Sequence, residues 1–169
     1  SIPKSVSQFP ESWYSDQESI SYDEGIFVGY RYFDKHNLDP AFPFGHGLSY
    51  TSFEYGAIKI AKEGKAGKPV NISIPITNVG DVSGKEIVQL YVRDVKSSVE
   101  RPEKELKAFR KIALSPGETK KVDFVLNEDA FSYFSEKKNQ WVLEKGEFEI
   151  WIGSSSSDIR RKASFIIND

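Results

Sequence analysis

The feature that most constrains this chain is the strict two-residue alternation over residues 70–77. Val70, Ile72, Ile74 and Ile76 are separated by Asn71, Ser73, Pro75 and Thr77. A period of two puts every apolar side chain on one face of an extended strand and the rest on the other. The rhythm returns in Val122, Phe124 and Leu126, in Phe148, Ile150 and Ile152, and in Ala163, Phe165 and Ile167. Turn chemistry separates the runs: Asn78-Val79-Gly80-Asp81, Ser115-Pro116-Gly117-Glu118 and Glu144-Lys145-Gly146. Glycine and proline set backbone angles that regular structure does not continue. About seven strands at near-even spacing predict two stacked antiparallel sheets.

Local patterns refine that expectation. Phe53 and Tyr55 share a face, and the shift to Ile58 and Ile60 after Gly56 marks a bulge. Pro75 has no N–H to give, so its strand is expected at a sheet edge there. Residues 85–95 are apolar on both faces, with Val88, Leu90 and Val92 opposite Ile87 and Tyr91, so that strand is expected to be central. Residues 106–114 fit strand or helix equally. Residues 129–134 fit one helical turn, and residues 135–140 a polar hairpin loop.

Residues 22–55 read as a junction, dense in aromatics and glycines. In residues 25–33, Phe27, Gly29, Arg31 and Phe33 alternate with Ile26, Val28, Tyr30 and Tyr32, which suits a strand buried on both sides or pressed between domains. Residues 34–40 read as a turn and residues 42–47 as a corner. Residues 1–21 show neither period and are expected to be extended; their aromatics Phe9, Trp13 and Tyr14 need a packing partner. The fold expected is all-β: a fibronectin type III/immunoglobulin-like antiparallel β-sandwich with an N-terminal extended segment.

Composition removes several classes of function. A net charge of −2 with 28% charged residues gives no support for binding nucleic acid or an anionic membrane. There is no cysteine, so disulfides and thiolate metal sites are excluded. His36 and His46 are the only histidines, too few for a multi-histidine metal centre. No apolar run approaches the roughly 20 residues of a membrane span. No phosphate loop, dinucleotide fingerprint or Ser/His/Asp set is present, so no cofactor is expected. Asn71-Ile72-Ser73 matches a glycosylation triplet but falls in an expected strand. The chain lacks methionine, and Ile2-Pro3-Lys4 opens without a capping signal. It is therefore expected to begin inside a longer protein. No signal peptide is read at Ser1, and a cytoplasmic location is favoured.

Two groups of motifs resemble a known family. Glu24-Gly25-Ile26-Phe27-Val28-Gly29-Tyr30-Arg31-Tyr32-Phe33-Asp34 followed by Phe42-Pro43-Phe44-Gly45-His46-Gly47-Leu48-Ser49-Tyr50-Thr51 is similar to the C-terminal region of glycoside hydrolase family 3 β-glucosidases. Downstream, Val79-Gly80, Gly84, residues 86–94, Arg101-Pro102, residues 104–109 and residues 114–118 resemble the fibronectin type III-like domain that closes those enzymes. The resemblance implies a three-part enzyme of a TIM-like barrel, an α/β sandwich and this module. It assigns residues 1–47 to the tail of the preceding α/β sandwich domain and linker, and residues 48–169 to the fibronectin type III-like domain. The barrel and α/β sandwich are then the partners, a homodimer is left open, and a β-glucoside substrate is met only through the whole enzyme. The nucleophile and the acid/base residue of the family lie in segments that this chain does not contain, so no catalytic residue is expected here.

The residues themselves bear on the same question. A retaining glycosidase needs two carboxylates about 5–5.5 Å apart. The adjacent pairs Asp23-Glu24 and Glu128-Asp129 sit in expected turns, where solvated charge is the ordinary reading. Four residues stand out as interdomain or sugar contacts. Arg31 lies amid aromatics and suits an interdomain ion pair or a carboxylate ligand. His46 lies between two glycines and suits a corner hydrogen bond or a substrate contact. Trp141 beside a loop and Trp151 on the outward face suit docking surfaces or sugar-stacking platforms. The function expected is the noncatalytic C-terminal part of a β-glucosidase-like enzyme; the alternative is a free-standing carbohydrate-binding or adhesion module.

Overall fold

The computed structural model of the protein describes residues 1–9, 23–61 and 63–169. Trp13 and Tyr14, singled out above, lie outside the described residues. The chain runs through a 3-10 turn (Val6–Gln8), helix α1 (Tyr30–Lys35) and strands β1 (Phe53–Tyr55), β2 (Lys59–Ile60), β3 (Glu63–Lys65), β4 (Val70–Asn78), β5 (Gly84–Asp94), β6 (Glu105–Leu114) and β7 (Thr119–Leu126). A 3-10 turn (Glu128–Ala130) then leads to β8 (Ser132–Ser135), β9 (Gln140–Leu143), β10 (Gly146–Gly153) and β11 (Ile159–Asn168).

Two main sheets form the body. In the first, β4 is flanked by β1 and β2 on one side and by β7 on the other. In the second, the order is β3-β11-β10-β5-β6. All pairings are antiparallel except β11 with β3. Strands β8 and β9 make a separate hairpin. The period-two residues of both sheets meet between them. Ile72, Ile74, Ile76, Val122 and Phe124 come from the first sheet; Val88, Leu90, Val92, Phe148, Ile150, Ile152 and Phe165 come from the second. Phe131 closes one end, edge-on to Phe148 at 5.3 Å and Phe165 at 5.4 Å between ring centroids. Phe131 and Phe165 are essentially without exposed surface, so this cluster contributes roughly 1.5–3 kcal/mol per side chain.

The open choice at residues 106–114 resolves to strand. β6 pairs with β5 from Gly84↔Leu114 to Val92↔Glu105, and a bulge between Leu90 and Tyr91 leaves Lys107 as the extra residue. As expected, β5 is central, held by β6 and β10.

Three expectations need correction. Residues 25–33 do not form a strand. Gly25 and Gly29 have φ of 54° and 59°, which an extended strand does not use, and α1 follows directly. Aromatic residues at Tyr30, Tyr32 and Phe33 satisfy a helical period as readily as an alternating one, and the helical one holds here. Next, β4 is not an edge strand, because it is paired on both sides. The missing N–H of Pro75 is absorbed by a local break. The Pro75 carbonyl accepts the N–H of Gly56 at 2.9 Å, so its nitrogen faces the same neighbour, where β1 has ended and β2 has not begun. Finally, Trp151 faces away from the sandwich core but is only 5% exposed, with the cations of Arg93, Lys104 and Lys162 gathered at its ring.

Candidate functional site

Residues 23–47 lie as a strap across the outer face of the second sheet. The sheet offers there the side chains that do not enter the core: Gln89 and Tyr91 from β5 and Trp151 from β10. Tyr30 of α1 packs edge-on to Tyr91 at 5.8 Å and against Phe44 at 5.4 Å. Its hydroxyl accepts the Leu106 N–H at 2.8 Å. Four residues along the same helix face, Asp34 accepts a 2.5 Å hydrogen bond from the Lys104 ammonium, which is only 4% exposed. Burial pushes the Asp34 carboxyl above the usual carboxylate range even with that ammonium beside it. Further along the strap, Gly45 has a φ of 81°, and a Cβ there would come within 2.1 Å of the Gln89 amide. Only glycine lets the corner sit this close. Gln89 in turn accepts the Tyr91 hydroxyl at 2.5 Å and donates to the Ser154 carbonyl at 2.6 Å.

Arg31 joins an ion network at the edge of this face. It lies 3.3 Å from Glu105, which also accepts from Arg101 at 2.9 Å. Arg101 reaches Asp94 and the carbonyls of Phe131 and Ser132, tying the strap to the end of the core. Burial raises Glu105, but the hydrogen bond from Arg101 and the charges of Lys107, Arg101 and Arg31 outweigh it and hold the carboxyl below the glutamate range. Trp151 donates its indole N–H to Glu149 at 2.8 Å, and the Lys162 ammonium sits 3.3 Å from its ring centroid. Arg31 thus pairs with Glu105 and Trp151 packs among Arg93, Lys104 and Lys162, while Trp141 joins neither group.

His46 lies at the other end of the strap, on the wall of a cleft of about 500 Å³. The hinge 45–52, the start of β5, Lys111 and the loop 154–160 enclose it. Asp158 is fully engaged: Arg160 donates to both its oxygens and Ser154 donates at 2.6 Å, and these bonds pull it below the carboxylate range. Glu86 is different. Burial raises it, and it accepts one hydrogen bond, from the Ile87 N–H at 2.8 Å. One carboxyl held high and one held low is the division of labour of an acid and a base. Asp158 is committed to its neighbours, however: Oδ2 accepts from Arg160 and Ser154, and Oδ1 accepts from Arg160.

Trp141 stands on the β8–β9 hairpin, 67% exposed and edge-on to Phe134 at 5.7 Å. Among the described residues no group of three or more His, Cys, Asp or Glu is placed to hold a metal ion. Among the buried polar residues that escaped the sequence reading are Asn78, Gln89 and Lys104. The signal for Gln89 was visible, as a polar residue between Val88 and Leu90 in a strand expected to be central.

Sheet order and core define the class: a fibronectin type III-like β-sandwich with a preceding strap. Residues 86–156 match the family described as the fibronectin type III-like domain. The chain carries that domain with the segment before it, the combination found in the C-terminal region of glycoside hydrolase family 3 β-glucosidases. It is 53% identical over 154 residues to thermostable beta-glucosidase B of Acetivibrio thermocellus, covering 90% of this chain and 20% of that protein. It is 44% identical over 161 residues to the exo-alpha-(1->6)-L-arabinopyranosidase of Bifidobacterium breve, covering 94% and 21%. The crystal structure of the Bifidobacterium adolescentis GH3 beta-glucosidase superposes with a TM-score of 0.91 at 40% identity, covering 98% of this chain and 25% of that one. The chain thus spans about a fifth of the length of the curated relatives it matches.

Proposed function

We propose that this chain is the noncatalytic C-terminal part of a β-glucosidase-like glycoside hydrolase. In this reading residues 1–47 are the tail of a preceding α/β sandwich domain and its linker. Residues 48–169 are the fibronectin type III-like domain that braces the catalytic domains. The observation that carries the reading is the hinge. Leu48 is 94% exposed and Tyr50 101%, although they join a tightly packed strap to a tightly packed sandwich. Burying such side chains is worth roughly 1.5–3 kcal/mol each, which a barrel or α/β sandwich domain would supply. Ile26, Val28 and Phe42 add half-exposed apolar surface along the strap.

The activities for which the relatives are named support a division of labour. A glucosidase and an arabinopyranosidase share this segment, so the choice of sugar belongs to the other four-fifths. Arg31 and Trp151 then hold the strap, His46 shapes the corner, and Trp141 is a ring for docking a sister domain or a second copy. The test is hydrolysis of an aryl β-glucoside by the 169-residue chain. No turnover is expected. Turnover that disappears in Glu86→Gln or Asp158→Asn would reject the reading.

A further inference from the structure

We infer that the cleft at the hinge end of the sandwich binds a neutral polyhydroxyl compound, a sugar or sugar-like polyol. The cleft is lined by residues of this chain, and Leu48 belongs both to its rim and to the docking surface proposed above, so the inference rests on that reading only through Leu48. Its volume of about 500 Å³ lies in the range of small-molecule sites.

The chemistry of its walls selects the ligand. Glu86 shares the parity of Val88, Leu90 and Val92, so it points between the sheets rather than outward. Among the described residues it makes no ion pair, and one N–H satisfies only part of its capacity to accept. Lys85 and Lys111 line the same cleft and likewise make no ion pair among the described residues. Arg160 is already answered by Asp158 and by the Phe53 carbonyl at 2.7 Å. Charges of both signs line the cleft, Glu86 and Asp158 beside Lys85, Lys111 and Arg160, so an anion and a cation each meet like charge there. A hydroxyl group both donates and accepts, so a polyol can give protons to Glu86 and take them from the lysines. Hydrogen bonds to ionised groups are the stronger kind, and both kinds of ion are present. Ser49 and Ser52 add hydroxyls at the rim.

The experiment titrates the isotope-labelled 169-residue chain with glucose and with cellobiose, following amide resonances. Saturable shifts are expected at Thr51, Glu86, Ile87 and Ser155. Glu86→Gln should weaken binding about tenfold or more, the effect of losing one charge-assisted hydrogen bond. Ser52→Trp, an exposed rim position, should block the cleft while leaving distant resonances unchanged. Trp141→Ala should leave the affinity unaltered. Flat titrations with both sugars would overturn the inference, as would binding indifferent to both cleft variants. Tighter binding of inorganic phosphate or guanidinium than of either sugar would overturn it equally.

Discussion

Asn78→Ala removes four hydrogen bonds from a side chain that has no exposed surface. The amide oxygen accepts the Thr51 hydroxyl at 2.6 Å and the Gly80 N–H at 3.1 Å; the amide nitrogen donates to the Val82 carbonyl at 2.8 Å and the Leu114 carbonyl at 3.1 Å. One residue thereby ties the end of β4 to the hinge, to the turn before β5 and to the end of β6. A net hydrogen bond is worth about 1 kcal/mol, and a buried carbonyl left bare costs somewhat more. Water can replace the bonds nearest the surface, so the expected loss is about 3 kcal/mol. For a chain of this size that lowers Tm by roughly 6–12 °C. Urea unfolding should show the midpoint falling with an unchanged slope. Asn78→Asp keeps the acceptor, loses the donor and buries a charge, so it should be at least as damaging. A loss below about 1 kcal/mol for Asn78→Ala would refute the reasoning.

Other predictions follow from the core and the strap. Phe131→Ala empties the site between Phe148 and Phe165 and should cost about 3–5 kcal/mol by chemical denaturation. Trp151→Ala should cost a similar amount, about 3–5 kcal/mol, whereas Trp141→Ala on the exposed hairpin should cost no more than about 1 kcal/mol. Glu105 is depressed in the folded state, so its contribution is present above roughly pH 4.3 and is lost as the pH falls through the folded value. Asp34 is raised by burial and runs the opposite way, its contribution being lost as the pH rises through its folded value. Glu105→Gln should therefore flatten the acid-side loss of stability, measured as denaturation midpoints across that range, and Asp34→Asn should not.

The sandwich was legible because period-two alternation ties each inward side chain to a simple count along the chain. Val70, Ile72, Ile74 and Ile76, and the matching runs in β7, β10 and β11, all face the core as that count requires. Residues 25–33 were harder. A short run of aromatics fits two periods, and the decisive fact is the positive φ at Gly25 and Gly29. Pro75 misled because the break between β1 and β2 sits opposite it, and that break depends on pairing across 19 residues, from Gly56 to Pro75. Trp151 was placed on the correct face but assumed bare, since nothing local shows that Arg93, Lys104 and Lys162 gather at its ring. Arg31 was legible as an ion-paired residue, but its partner Glu105 lies in a strand distant in sequence. The cleft around Glu86 was not legible at all, because it brings together four separate segments.

The most direct test is reconstitution. The remaining four-fifths of thermostable beta-glucosidase B, produced without its matching segment, is mixed with this chain and assayed on an aryl β-glucoside. Activity that neither part shows alone, and that falls when Leu48 and Tyr50 are both replaced by serine, is the predicted result. Full activity of the larger part alone, unchanged on adding this chain, would contradict it.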